Sequence, residues 1–339
     1  MKIFINRKVI RGPWGGANSF LVALGRWLEK HGHIVTNKIN EDFDIALLNA
    51  LTLELNLETV KKIYDRGIPI IHRKTGMVVS GSPEIRAMRD GVVEGDRRQI
   101  AFSPYVKHSI FQSQYSRDFF TQEGFSGEAT VIRNGVDENI FNLFHPRWFG
   151  LKHEKRNYWD GKNPLKVLAV SWSCDPAKGF ELYQKIDKEI AGRIDVQVTF
   201  VGRLPEGVMF ENIPTNRPLP HRKLAEFYRS NHVLLFLGRE ETCSNTILEG
   251  MNCGLPVIFH PSGSSPENVG ENGVAYEGNF FHCLESIKKN YHDMVERLEH
   301  NPYRISLVGP QYEDVLKRVY QEHVMSSGNG QGLDLRQAI

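Results

Sequence analysis

Residues 241–258 read E-T-C-S-N-T-I-L-E-G-M-N-C-G-L-P-V-I, and the rest of the chain is best read outward from them. Glu249 falls on a short helix expected over Asn245–Asn252, and Glu241 lies in the loop that feeds it. A glycine-proline break and an apolar strand, Pro256–Phe259, follow. A helix start offers free backbone N–H groups and the positive end of a dipole, a natural seat for a phosphate. Ser244 or Asn245 suits the N-cap, so the N–H groups of Asn245, Thr246 and Ile247 would face the anion. Glu249 stands one turn after Asn245, on the same face. Carboxylates beside a phosphate seat repel the phosphate and need another partner. Accepting hydrogen bonds from sugar hydroxyls is the simplest one. A phosphate with sugar on both sides is the chemistry of a nucleotide sugar. The plainer reading, a surface helix with two solvated acids, is weakened by the flanking strand and the Gly-Leu-Pro break.

Around this stretch the sequence alternates strand and helix. In the first half, Lys2–Asn6, Ile45–Ala50, Pro69–Ile71, Ser109–Gln112 and Thr130–Arg133 read as strands. Gly15–His31, Leu57–Asp65 and Tyr115–Gly124 read as helices. In the second half, Leu165–Val170, Val196–Val201, Val233–Leu237 and Pro256–Phe259 read as strands. Gly179–Ile190, Arg222–Ser230, Asn245–Asn252, Phe281–Asn290 and Gln311–Val324 read as helices. Short apolar runs bounded by turns suit buried parallel strands. The rhythm stops between Asn142 and Pro164, a basic, aromatic, turn-rich stretch read as the approach to a domain boundary. The expected fold class is therefore α/β, with two Rossmann-like doubly wound domains, 1–155 and 156–310, facing across a cleft. Residues 326–339 read as a flexible tail.

The 339-residue length suits two domains with a core each. A net charge of +2 argues against a nucleic-acid partner. No apolar run reaches transmembrane length, so a cytoplasmic protein with at most a peripheral membrane contact through residues 142–164 is expected. The four cysteines show no C-x-x-C pairing and read as reduced thiols. Asp42-Phe43-Asp44 has the D-x-D form of some metal sites but no second ligand nearby, and no histidine-cysteine spacing suggests zinc.

The E-x7-E pattern followed by E-G-M-N-C-G-L-P-V-I resembles the signature of retaining glycosyltransferases of family 4, whose usual form is close to E-G-F-G-L-x-x-L-E-A-M-A-C-G-x-P-V. Other segments fall in the family's order. I-R-N-G-V-D-E-N-I-F (132–141) resembles its N-G-V-D segment, and D-P-A-K-G-F (175–180) its x-P-x-K-G turn. S-G-S-S-P-E-N-V (262–269) resembles its G-G-x-x-E-x-V loop, and G-P-W-G-G-A-N-S-F (12–20) its N-terminal glycine loop. The resemblance implies the two-domain GT-B fold, retention of anomeric configuration and no obligatory metal or other cofactor. It also implies that the closing helix, about 311–325, packs back on the first domain.

Residue by residue, Glu241 is expected to position the donor sugar and Glu249 to hold the ribose. Lys178 opens a helix just after a strand and turn, where the dipole disfavours a cation. That position suits neutralising the charge that a leaving diphosphate gathers. The family has an arginine five residues before this lysine; here that position is Ser173, and Arg203 or Arg239 is a candidate substitute. Gly15 and Gly16 would let backbone approach the diphosphate. Arg73 and His72 end a predicted strand at the cleft edge, although His72 equally suits a packed imidazole. Glu267 would border the donor. The function expected is transfer of a sugar from a nucleoside diphosphate sugar to a hydroxyl of a glycan, lipid-linked or small-molecule acceptor. A sugar-nucleotide epimerase, a phosphorylase or a decayed binding protein of the same fold remains open, given Ser173 and Thr242 where the family has arginine and glycine.

Overall fold

The computed structural model describes residues 1–6, 16–49, 56–75, 98–145 and 154–328. Two parallel sheets, each with six strands among the described residues, organise the chain. The first runs β2-β1-β3-β4-β5-β6, from Lys2–Ile5 (β1), Ile34–Thr36 (β2), Ile45–Asn49 (β3), Ile70–Lys74 (β4), His108–Phe111 (β5) and Ala129–Val131 (β6). The second runs β12-β11-β10-β7-β8-β9. Its strands are Leu165–Ser171 (β7), Val196–Gly202 (β8), Thr215–Asn216 (β9), Val233–Phe236 (β10), Val257–Phe259 (β11) and Gly273–Ala275 (β12). The central strands are buried on both faces, as apolar runs without alternation require. The short strands β2, β9 and β12 are not read from sequence, because two or three residues carry no periodicity.

Helices cover both faces. They include α1 (Gly16–Lys30), α2 (Leu57–Asp65), α3 (Gln114–Gln122), α4 (Phe180–Glu189), α5 (His221–Ser230), α6 (Asn245–Asn252), α7 (Ser265–Val269), α8 (Phe280–Leu298) and α9 (Ile305–Gly328). Two helices differ from the sequence reading. The one expected over 281–290 continues to Leu298, and the last begins at Ile305 and runs unbroken past residue 326. The helix therefore extends into the tail expected from 326; residues 329–339 lie outside the described set. Pro310 sits early in α9, and α9 approaches α1 closely beside it: a Cβ on Gly309 would lie 2.3 Å from the Trp27 ring. Tyr312, Val315, Leu316 and Val319 of α9 enter the core of the first sheet with Phe20, Leu24 and Leu28 of α1. At roughly 1.5–3 kcal/mol for each fully buried side chain, this contact fastens the end of the chain to the first sheet.

The chain leaves β7 for β8 and β9 on one side, then returns to place β10 on the other side of β7. The crevice of a doubly wound sheet opens where its order reverses, beyond the carboxyl ends of the two strands involved. In the second sheet those strands are β7 and β10.

Candidate functional site

Ser171 ends β7, and Asp175 then caps a single turn at Pro176–Lys178 by accepting from the Ala177 N–H at 2.9 Å. Gly179 closes that turn in the left-handed region, at φ 75°. A Cβ there would meet the Leu237 carbonyl oxygen at 2.4 Å, so a glycine lets this turn touch the end of β10. The Arg239 N–H donates to the Ala177 carbonyl at 2.7 Å and holds the two loops together. The result is an ion pair between Lys178 Nζ and Glu241 Oε1 across the reversal point. The side chains are 21% and 20% exposed, respectively: accessible from the crevice but partly withdrawn from water.

Glu241 is held from a third direction. Gly263 lies at φ 63°, and a Cβ there would sit 2.5 Å from the Glu241 nitrogen. The Ser264 N–H donates to the Glu241 carbonyl at 2.8 Å. Its neighbour Glu240 takes a left-handed conformation at φ 53°, accepts at its carboxylate from the Tyr115 hydroxyl of α3, and donates its N–H to Ser262 Oγ at 3.1 Å.

Helix α6 opens at Ser244, whose hydroxyl makes no capping bond. Asn245 and Glu249 lie one turn apart and both line two cavities. The larger, about 720 Å³, is shared with α1 and with Gly135–Asp137. The smaller, about 80 Å³, lies at the ends of β7 and β8 and is lined by Ser171, Trp172, Gly202, Pro218 and Thr246. Burial pushes the Glu249 carboxyl up to about 8, a rise that the Tyr228 hydroxyl bonded to it partly offsets. Ile247 is fully buried and Ser244 nearly so, which leaves their backbone as the part that can act.

Ser173 Oγ accepts from the Asp175 N–H at 3.1 Å and shapes the turn. The Arg203 guanidinium stacks over the Trp172 ring at 4.4 Å, while Arg239 pairs with Glu181. Lys178, Glu241, Arg203 and Glu267 line neither cavity around Glu249. Glu267 instead reaches the first sheet. It accepts from the N–H groups of Gln114 at 3.1 Å and Tyr115 at 3.2 Å, at the start of α3, and from Arg133 Nη2 at 3.0 Å. Arg73 and His72, expected at the cleft edge, are fully buried. Arg73 donates to Asn49, to Gln112 at 2.6 Å, to Asn134, and to the Tyr312 hydroxyl at 3.2 Å. Asn134 Nδ2 in turn donates to Asn245 Oδ1 at 2.7 Å, so Arg73 reaches α6 through Asn134. His72 tilts against Phe102, and burial and the neighbouring Lys74 hold its pKa well below the usual range. Gly16 opens α1, and Gly15 and most of the stretch 76–100 lie outside the described residues. Asp44 of the D-x-D triplet accepts from the Lys2 N–H at 2.6 Å, a strand-edge role. Among the described residues no three His, Cys, Asp or Glu side chains gather as a metal site, and no helix is long and apolar enough to cross a membrane.

Sequence reasoning passes over Asn134, Ser19 and His221. His221 Nε2 lies 3.2 Å from Ser19 Oγ of α1 and lines both cavities. A signal existed for it: His221 opens α5, where the positive end of the helix dipole disfavours a charged imidazole, whereas Lys178, expected to open a helix, ends the separate turn Pro176–Lys178 ahead of α4.

A family model described as glycosyl transferases group 1 matches residues 166–293. The matched stretch runs from within β7 to within α8. No curated protein matches. Among solved structures, sucrose-phosphate synthase from Thermosynechococcus elongatus shares 14% identity over 95% of this chain and 99% of its own, with a TM-score of 0.66. Anabaena HepE in complex with UDP-glucose shares 16% identity over 94% of this chain and 99% of its own, at 0.65. The catalytic domain of starch synthase IV from Arabidopsis thaliana, bound to ADP and acarbose, shares 11% identity over 94% and 99%, at 0.66. The architecture is thus GT-B along nearly the whole chain, and the group 1 match falls on the sheet that carries Lys178, Glu241 and Glu249.

Proposed function

We propose that this protein transfers a sugar from a nucleoside diphosphate sugar to an acceptor hydroxyl, with retention of configuration and without a required metal. The observation that carries the reading is the Lys178–Glu241 pair at the β7/β10 reversal, beside an α6 start whose N-cap hydroxyl makes no capping bond. The diphosphate lies against the first-turn N–H groups of α6 and Lys178. Glu249 meets the ribose diol and Glu241 a hydroxyl of the donor sugar. The anomeric bond to the diphosphate oxygen breaks with its electron pair staying on phosphate. The acceptor oxygen bonds to the same face, and the departing phosphate oxygen takes the acceptor proton. Lys178, freed from Glu241 as the sugar arrives, stabilises the charge gathered on the leaving group more than in the ground state.

The experiment is a thermal-shift screen with UDP-, GDP- and ADP-sugars, followed by a transfer assay in EDTA with proton NMR of the product anomer. A raised Tm with one donor, transfer in EDTA and retained configuration support the reading. An inverted anomer, or dependence on a divalent ion, removes the corresponding part. Donor consumption without acceptor points to epimerase or phosphorylase chemistry instead.

A further inference from the structure

A third cavity, about 1120 Å³, shares only Ile140 with the two around Glu249. Arg222, Arg229 and Arg304 line it, with Glu138, Glu226 and His145. Arg229 is 4% exposed. Its Nη1 donates to the carbonyl oxygens of Ile140 at 3.1 Å and Asn142 at 3.4 Å, and its buried Nε has no partner. Among the described residues no carboxylate forms an ion pair with Arg229, Arg222 or Arg304. Glu138 accepts only weakly, from the Ser306 N–H at 3.4 Å. A guanidinium withdrawn from water is costly unless an opposite charge completes its hydrogen bonds. Here Glu226 attracts Arg229 without forming an ion pair with it, and the buried Nε stays without a hydrogen-bond partner.

We propose that this cavity binds a phosphate group, with Arg229 as its buried donor and Arg222 and Arg304 as its outer contacts. A guanidinium fork matches phosphate oxygens in geometry and charge. The site sits where the chain passes between the two sheets in both directions. Residues 138–145 lead out of the first sheet, and Arg304 bridges Val136 as the chain returns. Arg222 follows His221, which lines the cavities around Glu249. A bound phosphate therefore ties together the joint on which the two sheets close. The phosphate belongs either to a soluble phosphomonoester or to a lipid headgroup.

The test is isothermal titration of inorganic phosphate into the full-length Lys178→Ala protein, which weakens phosphate binding in the crevice, at constant ionic strength. Saturable binding is expected, weakened at least tenfold by Arg222→Ala and abolished by Arg229→Gln. Arg222 is exposed and forms no ion pair among the described residues, so its variant keeps the test readable if Arg229→Gln fails to fold. Arg222→Ala in the otherwise unchanged protein should leave UDP binding unaltered. Glycerol 3-phosphate binding without vesicle binding assigns a soluble ligand. Retention on phosphatidic acid vesicles, lost in Arg222→Ala, assigns a lipid. No saturable binding of any of these probes, or equal affinity in Arg222→Ala, overturns the proposal.

Discussion

Lys178, on the turn after β7, pairs with Glu241, on the loop after β10, across the point where the strand order of the second sheet reverses. Sixty-three positions of sequence separate the two residues. Two glycines, Gly179 and Gly263, let the three loops involved approach within contact distance.

A partly exposed pair of this kind contributes about 0–1 kcal/mol to stability. Lys178→Ala and Glu241→Gln should therefore leave the denaturant midpoint almost unchanged while lowering turnover at least ~100-fold, as expected for lost transition-state charge stabilisation. Near-normal rates in both variants would remove the proposed mechanism. If the pair acts as a unit, the double variant should be little slower than either single one.

Glu249 imposes a pH dependence. Its carboxyl titrates near 8 in the folded protein, against an ordinary value of 4.5, because burial disfavours the charged form. For an acid with a raised pKa, the unfolded chain loses its proton first. The contribution is fully present below pH 4.5 and is lost as pH rises toward 8, by up to about 1.4 kcal/mol per pH unit. Glu249→Gln should flatten the fall in stability over that window, read by urea unfolding at a series of pH values. An unchanged profile would show that the carboxyl is ionised throughout.

Glu267 joins the two halves through the N–H groups that open α3 and through Arg133. Removing a charged acceptor from a helix start costs about 1–2 kcal/mol. Glu267→Ala should lower the Tm and raise the radius of gyration in small-angle scattering as the halves separate more often. A radius equal to that of the unaltered protein would mean that other contacts suffice for closure.

Arg73→Met should destabilise the protein by at least about 3 kcal/mol. It removes the guanidinium that donates to the side-chain oxygens of Asn49, Gln112 and Asn134 in a buried site. Activity per folded molecule should fall less than in Lys178→Ala, because Arg73 reaches the crevice only through Asn134 and Asn245. A loss as deep as that of Lys178→Ala, with stability intact, would place Arg73 at the chemistry instead.

Much of this is legible in the residues themselves. The long strands and α6 follow from apolar runs and turn residues, which report burial locally. The helix over 245–252 falls on Asn245–Asn252, with Glu249 one turn from Asn245. Arg73 shows where such reading stops. A strand end is expected to face a cleft, yet α9 returns from the far end of the chain and roofs that end with Tyr312. Glu267 shows the same limit: whether a surface acid meets a ligand or another helix depends on how the two sheets meet.

By itself, the order of residues determines two strand-helix alternations and a helix start suited to an anion, because periodicity and capping act within a few residues of chain. The tertiary structure alone decides that Lys178 meets Glu241, that Arg73 is sealed beneath Tyr312, that Glu267 caps α3 and that Glu249 holds its proton to about 8. Those outcomes depend on strand order, interdomain contact and desolvation, which arise only when distant segments come together.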